Sequence, residues 1–197
     1  MKRIFGIFAA SSFMLLTGYT GVAQAQTVAN PLSFVAGAGY GRGGDIVAIG
    51  EYTDGSLTNV KAGNGLEIYL GGAYRLNEQF AVQADVGYQS STGNADNGEL
   101  TFKRFPVELL GYYYLNNSWR LGAGARFDER VKLTGSGVAS AANFDFDSAV
   151  GAIGEIEYLV TPEFGIKLRA VKESFKPTGY SDTFSGNQIA LLATIYF

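Results

Sequence analysis

Between Leu100 and Phe127 the chain reads LTFKRFPVELLGYYYLNNSWRLGAGARF, and its apolar residues fall on alternate positions. Phe105, Val107, Leu109, Gly111, Tyr113 and Leu115 share one parity before the polar turn Asn116-Asn117-Ser118. Trp119, Leu121, Ala123, Ala125 and Phe127 share one after it. The opposite parity holds Arg104, Glu108, Tyr112 and Tyr114, then Arg120, Gly122, Gly124, Arg126 and Asp128. A period of two predicts two antiparallel strands with one apolar and one charged face.

The same alternation recurs along the chain. It predicts strands over LSFVAGAGYG (32–41), GLEIYLGGAYRL (65–76), FAVQADVGYQ (80–89), the two arms just described, FDFDSAVGAIGEIEYLV (144–160), FGIKLRAV (164–171) and NQIALLATIYF (187–197). Within the first long connection, IVAIGEY (46–52) could continue the first strand beyond its Gly cluster. The connections alternate in length. Residues 42–64, 90–99, 130–143 and 176–185 are long and polar or Gly-rich, whereas 77–79, 116–118 and 161–163 are tight. Eight strands with all short turns on one side match an all-β, eight-stranded antiparallel up-and-down transmembrane β-barrel. Each strand is long enough to cross a bilayer at a tilt. Pro106 breaks the pattern, since it has no N–H for the ladder and a closed barrel has no edge to hold it. A bulge or irregular pairing is expected there.

The polar parity carries Arg75, Arg104, Arg120, Arg126, Lys167 and Arg169, and also Glu67, Asp85, Glu108, Asp128, Glu155 and Glu157. A balanced set of charges suits the filled interior of a narrow barrel, where each buried charge needs a partner. The apolar parity ends in aromatics on both sides. Tyr74, Phe80, Tyr113, Trp119, Tyr158, Phe164 and Phe197 lie near the short turns, and Tyr40, Tyr88, Phe105, Phe127 and Phe146 near the long connections. Two aromatic girdles suit two lipid–water interfaces, so the apolar face is expected to point outward. The inverse arrangement, a soluble barrel with an apolar cup, is the structural alternative.

Lys2 and Arg3, an apolar run from Ile4 to about Tyr19, and Ala23-Gln24-Ala25 form the three parts of a secretory signal, expected to be cleaved after Ala25. The barrel domain is then 26–197. With Lys2 and Arg3 gone, the mature chain is more acidic than the formal −3 of the whole, which argues against a nucleic-acid partner. An exported chain with no Cys must hold itself by packing or by closing its sheet. With 27 Gly and four Pro, the composition fits many short strands.

The terminal strand IALLATIYF, the signal AQAQ and the eight alternating strands resemble the small outer-membrane β-barrel family of Gram-negative bacteria, the OmpA/OmpX-like barrels. The resemblance covers 26–197. It implies residence in the cell outer membrane and contact with outer-membrane lipid and lipopolysaccharide. It further implies delivery by the outer-membrane assembly machinery, which reads a terminal Phe preceded by alternate apolar residues, here Phe197, Ile195, Ala193, Leu191 and Ile189. Leu192 stands where that family often has Gly. No appended peptidoglycan-binding domain is expected, and the barrel is expected to be a monomer.

Enzymes on this fold resemble His-dependent hydrolases or transferases, and the chain contains no His. A carboxylate base such as Glu108, Glu155 or Glu157 beside Tyr112 or Tyr114 is the nearest substitute, and interior ion pairing is the simpler reading of those residues. Asp145 and Asp147, with Asp96 and Asp128, could cluster at the outer rim around a divalent ion, although no complete ligand loop is present. Lys103, Arg104 and Lys132 could contact lipid phosphates. GAGYGRGG is not a phosphate loop, since no Lys-Ser/Thr follows it. No catalytic, cofactor or metal residue is assigned. The expectation is a non-enzymatic barrel with a filled interior, acting in envelope structure or in adhesion through its external loops and long strands four and six. A soluble periplasmic barrel for a small apolar ligand and a lipid-modifying outer-membrane enzyme are the alternatives.

Overall fold

The computed structural model describes residues 31–51, 54–95, 98–137 and 139–197. The expected signal segment and Asp96 lie outside them. Thirteen strands follow in order: β1 (Leu32–Gly43), β2 (Ile46–Glu51), β3 (Leu57–Lys61), β4 (Gly65–Arg75), β5 (Phe80–Ala95), β6 (Gly98–Tyr114), β7 (Trp119–Gly137), β8 (Phe144–Asp145), β9 (Ala149–Thr161), β10 (Phe164–Lys172), β11 (Ser174–Phe175), β12 (Phe184–Ser185) and β13 (Gln188–Tyr196).

Eight of them form the wall. Antiparallel pairing runs β1–β4–β5–β6–β7–β9–β10–β13 and returns to β1, which closes the barrel. The closing pair is fastened at its end by reciprocal hydrogen bonds between the Phe34 and Phe197 main chains, at 2.7 and 3.0 Å. Closure leaves no free edge along the membrane-spanning wall, a requirement for a sheet in lipid.

The short turns form where expected, for a local reason. The Asn77 side-chain oxygen accepts from the amides of Gln79 and Phe80 at 2.8 and 2.9 Å. The Asn116 oxygen accepts from Ser118 and Trp119 at the same distances. Asn thus closes both turns by mimicking a backbone carbonyl, and an aromatic residue follows each turn to begin the next strand.

The apolar parity faces outward. Leu66, Leu70, Val86, Leu109, Val150, Leu168, Ile189 and Leu191 are all exposed, and the polar parity is buried. This inverts a soluble domain and requires an apolar solvent around the wall. Girdle rings meet across strands near the short turns, Phe80 with Tyr113 at 5.3 Å and Trp119 with Tyr158 at 4.8 Å. Tyr88 meets Phe105 at 5.2 Å toward the other end. The soluble-barrel alternative fails on this orientation.

Three expectations about strands are corrected. IVAIGE does not prolong the first strand. Gly43 and Gly44 take φ of 143° and 74°, a backbone open mainly to glycine, and redirect the chain; β2 then pairs with β3 as a separate hairpin. The 144–160 run is broken at Asp147 and Ser148, which leaves β8 and β9. Phe146, expected in the outer girdle, is instead buried and bridges to Pro177. The strands that project furthest are β5, β6 and β7, at 16, 17 and 19 residues, while β9 has 13. Strand four of the sequence reading is therefore long as expected, and strand six is not.

Pro106 does sit in irregular pairing. Ladder partners are missing on β5 between Val86↔Val107 and Gln89↔Arg104. On the other side the β6–β7 register shifts between Lys103 and Phe105. The bulge itself is carried by β7, where Arg130 has φ of 51°. Its extra residue moves the inward parity from Arg126 and Asp128 to Val131 and Leu133.

Candidate functional site

The inward face changes chemistry along the barrel. On β6, Tyr112, Leu110, Glu108 and Arg104 are followed by Phe102 and Leu100, all buried. Toward the short turns the interior is charged, and beyond Arg104 it is apolar. The outer surface changes in the opposite sense, from Leu109, Val107 and Phe105 to Lys103, Thr101 and Glu99. The crossover marks where the wall leaves lipid and the projecting strands enter water.

The charged interior is a continuous network. Near the short turns, Arg120 reaches Glu157 from Nε at 2.7 Å and from Nη2 at 2.6 Å. It stacks on the Tyr112 ring at 3.8 Å and bonds the Tyr196 hydroxyl, which also donates to Glu157 at 2.6 Å. In the next layer the Lys167 ammonium lies 3.2 Å from Glu155 and donates to the Tyr112 hydroxyl at 3.0 Å. Arg169 then bridges Glu155 at 2.8 Å, Glu67 at 2.6 Å and Glu108 at 3.0 Å. Arg126 touches Glu108 at 3.3 Å, Asp128 at 3.3 Å and Glu173 at 3.6 Å. Arg104 closes the column on Glu173 at 3.1 Å and Asp128 at 3.5 Å. Gln89 and Gln188 bond each other at 2.7 Å, and Gln89 accepts from Arg126 at 2.7 Å and Arg104 at 2.9 Å.

Eleven of the twelve charges expected inside are there. Arg75 is the exception: it sits half-buried at the short-turn mouth, stacked on Tyr114 at 4.1 Å and donating to the Asn77 and Glu78 carbonyls. Glu173 was missed, although it continues the inward parity of Lys167 and Arg169 beyond the point where the apolar alternation stops. The expected one-to-one balance becomes seven buried carboxylates and five buried cations among the described residues.

The candidate bases are absorbed by this network. Glu108, Glu155 and Glu157 each meet a cation, and Tyr112 donates to Glu155. Tyr114 stands apart at the mouth, where Arg120 donates to its hydroxyl at 3.0 Å. The rim carboxylates do not converge. Asp145 pairs with Lys132 at 2.8 Å, Asp147 accepts from Thr178 at 2.8 Å, and Asp128 is buried in the column. Arg104 is likewise buried inside, away from the lipid face, whereas Lys103 is half-buried on the opposite parity and Lys132 is exposed.

Above Arg104, Val60, Ala62, Leu100, Phe102, Val131, Leu133, Phe146 and Phe175 pack into an apolar cap. Phe102 meets Phe146 and Phe175 edge-on at 5.3 and 5.5 Å, and the Arg104 guanidinium lies 5.0 Å from the Phe175 ring. The β2–β3 hairpin, β11 and β12 fold over this core, and the Ser56 amide tightens the hairpin tip on Asp54 at 2.8 Å. The signal for the cap lay in residues 100–104, where Leu-x-Phe-x-Arg changes character within one parity.

A family model described as the outer membrane protein beta-barrel domain matches residues 12–197. Solved structures share the fold at low identity. The Neisserial surface protein A is 12% identical, with a TM-score of 0.53, covering 85% of this chain and 97% of that one. Ail, the attachment invasion locus protein of Yersinia pestis, is 15% identical, with a TM-score of 0.53, covering 84% and 96%. Outer membrane protein H of P. aeruginosa is 16% identical, with a TM-score of 0.53, covering 84% and 99%. No curated protein matches the chain.

Proposed function

Because this chain belongs to the outer membrane protein beta-barrel domain family and resides in the cell outer membrane, we propose that it is a non-enzymatic surface-interaction barrel that adheres through its projecting strands. The observation that carries this reading is the pairing of a filled interior with an ordered external sheet. The charged column and apolar cap occupy the axis, in keeping with eight strands having room only for side chains. Outside, β5 and β6 continue as a hairpin from Ser91↔Phe102 to Ala95↔Gly98. The β4 ladder stops at Ser90, so the edge of β5 beyond it has no wall strand beside it. Such an edge can accept a strand from a partner. Outer-membrane lipid and lipopolysaccharide surround the wall, and the assembly machinery reads the β13 strand.

The test is surface display in an otherwise non-adherent bacterium. One variant lacks residues 94–99, with its hairpin closed by Asn-Gly. The wild type should raise attachment to cells or matrix, and the trimmed barrel should lose it while keeping heat-modifiable gel mobility. Undiminished attachment by the trimmed barrel would overturn the reading. So would altered lipid A on expression of the wild type.

A further inference from the structure

The apolar cap has one flank at which aromatic side chains stay in water. Phe144 on β8 and Tyr180 in the loop before β12 are 40% and 57% exposed, and Phe144 pairs with Leu133, level with Phe102 and above the Phe105 girdle ring. Exposed apolar side chains that are contiguous, rather than scattered singly, commonly mark a binding site. Phe144, Tyr180, Phe146 and Phe184 line a cavity of about 260 Å3, with Asp182 beside them and Val47, Leu133 and Pro177 completing it. The rings form two edge-to-face pairs, Phe144 with Tyr180 at 6.5 Å and Phe146 with Phe184 at 6.4 Å. Asp182 has no salt-bridge partner among the described residues. Of the neighbouring charges, Lys132 is taken by Asp145, and Asp147 accepts from Thr178.

We propose that this cavity binds a small organic cation with an apolar body, of the aryl- or alkylammonium class. The body lies among the four rings and the ammonium faces Asp182. Aromatic faces attract cations, and the attraction strengthens as water is removed. A neutral apolar guest would gain the same contact area but no attraction from the exposed Asp182 carboxylate at the edge of the cavity, and an anion would be repelled. The volume is below that of pockets for drug-sized ligands, which fits a guest with a single ring or short chain. The proposal goes beyond adhesion by the β5–β6 hairpin, because none of the lining residues lies in that hairpin.

The test uses the full chain refolded in maltoside micelles and titrated calorimetrically with benzyltrimethylammonium, with 3-phenyl-1-propanol as the neutral comparison. The cation should bind saturably and at least tenfold more tightly than the alcohol. Asp182→Asn and Tyr180→Ala should each weaken it about tenfold while heat-modifiable mobility stays intact. Equal binding of cation and alcohol, unchanged affinity in Asp182→Asn, or absence of saturable binding would each overturn the proposal. The adhesion test reads a different part of the molecule, so either result can fail alone.

Discussion

Replacing Arg169 with Met removes the cation on which three buried carboxylates converge. Its guanidinium lies 2.6 Å from Glu67, 3.0 Å from Glu108 and 2.8 Å from Glu155. Met keeps most of the volume, so the effect is electrostatic rather than a cavity. The orphaned groups are unequal. Glu155 retains Lys167 at 3.2 Å, and Glu108 retains Arg126 at 3.3 Å, but Glu67 keeps only Arg126 at 3.6 Å. Breaking a buried pair from one side typically costs about 3–5 kcal/mol, since a charge is left without compensation. Residual partners for all three carboxylates put the expectation at the lower end, about 3 kcal/mol. That corresponds to a folded-to-unfolded ratio reduced by roughly two orders of magnitude. Adding Glu67→Gln to Arg169→Met should recover stability, because it removes the charge with the weakest remaining partner. The measurement is reversible urea unfolding in lipid vesicles, followed by Trp119 fluorescence and by heat-modifiable mobility. A loss under about 1 kcal/mol for Arg169→Met, the range of exposed ion pairs, would refute the idea that the column is held by its charges. Further destabilisation by the added Glu67→Gln would refute the assignment of Glu67 as the orphan.

Two further outcomes test the wall. Leu109→Arg places a charge mid-wall on the lipid face, opposite Ala84 and Ala125, and should cost about 2–4 kcal/mol in the same vesicle assay; Thr101→Arg, beyond the girdle on the same strand and face, should be nearly neutral. Gly124→Ala should block insertion, because its new Cβ would collide with the Leu109 carbonyl oxygen, whereas Gly154→Ala, with nothing within 4 Å of the added carbon, should fold like the wild type; the fraction of heat-modified protein after refolding separates them.

The sequence by itself determined the wall. Period-two alternation over eight segments, short turns built on Asn77 and Asn116, and aromatics at both ends of the apolar face each encode a local preference. Those preferences agree with one another, so the barrel and its orientation were legible before any contact was known. The interior charges were legible for the same reason: parity assigns a face, and a charge cannot occupy the lipid face cheaply. Parity alone could not say which carboxylate meets which guanidinium. Glu67 and Arg169 are 102 residues apart, and only closure of β1 on β13 brings their strands into one column.

Tertiary structure also decided everything beyond the membrane. There the chain reverts to the logic of a soluble protein. The inward parity of β6 turns apolar at Phe102, the Arg130 bulge rephases β7 so that Val131 and Leu133 follow it inward, and a break at Asp147 turns Phe146 from an expected girdle ring into a core residue. A two-residue period is blind to which solvent lies outside, so it reads the same strand identically in lipid and in water. The change of solvent along β5, β6 and β7 sets which face must be apolar. The height at which that change falls is a property of the assembled barrel, not of any one strand.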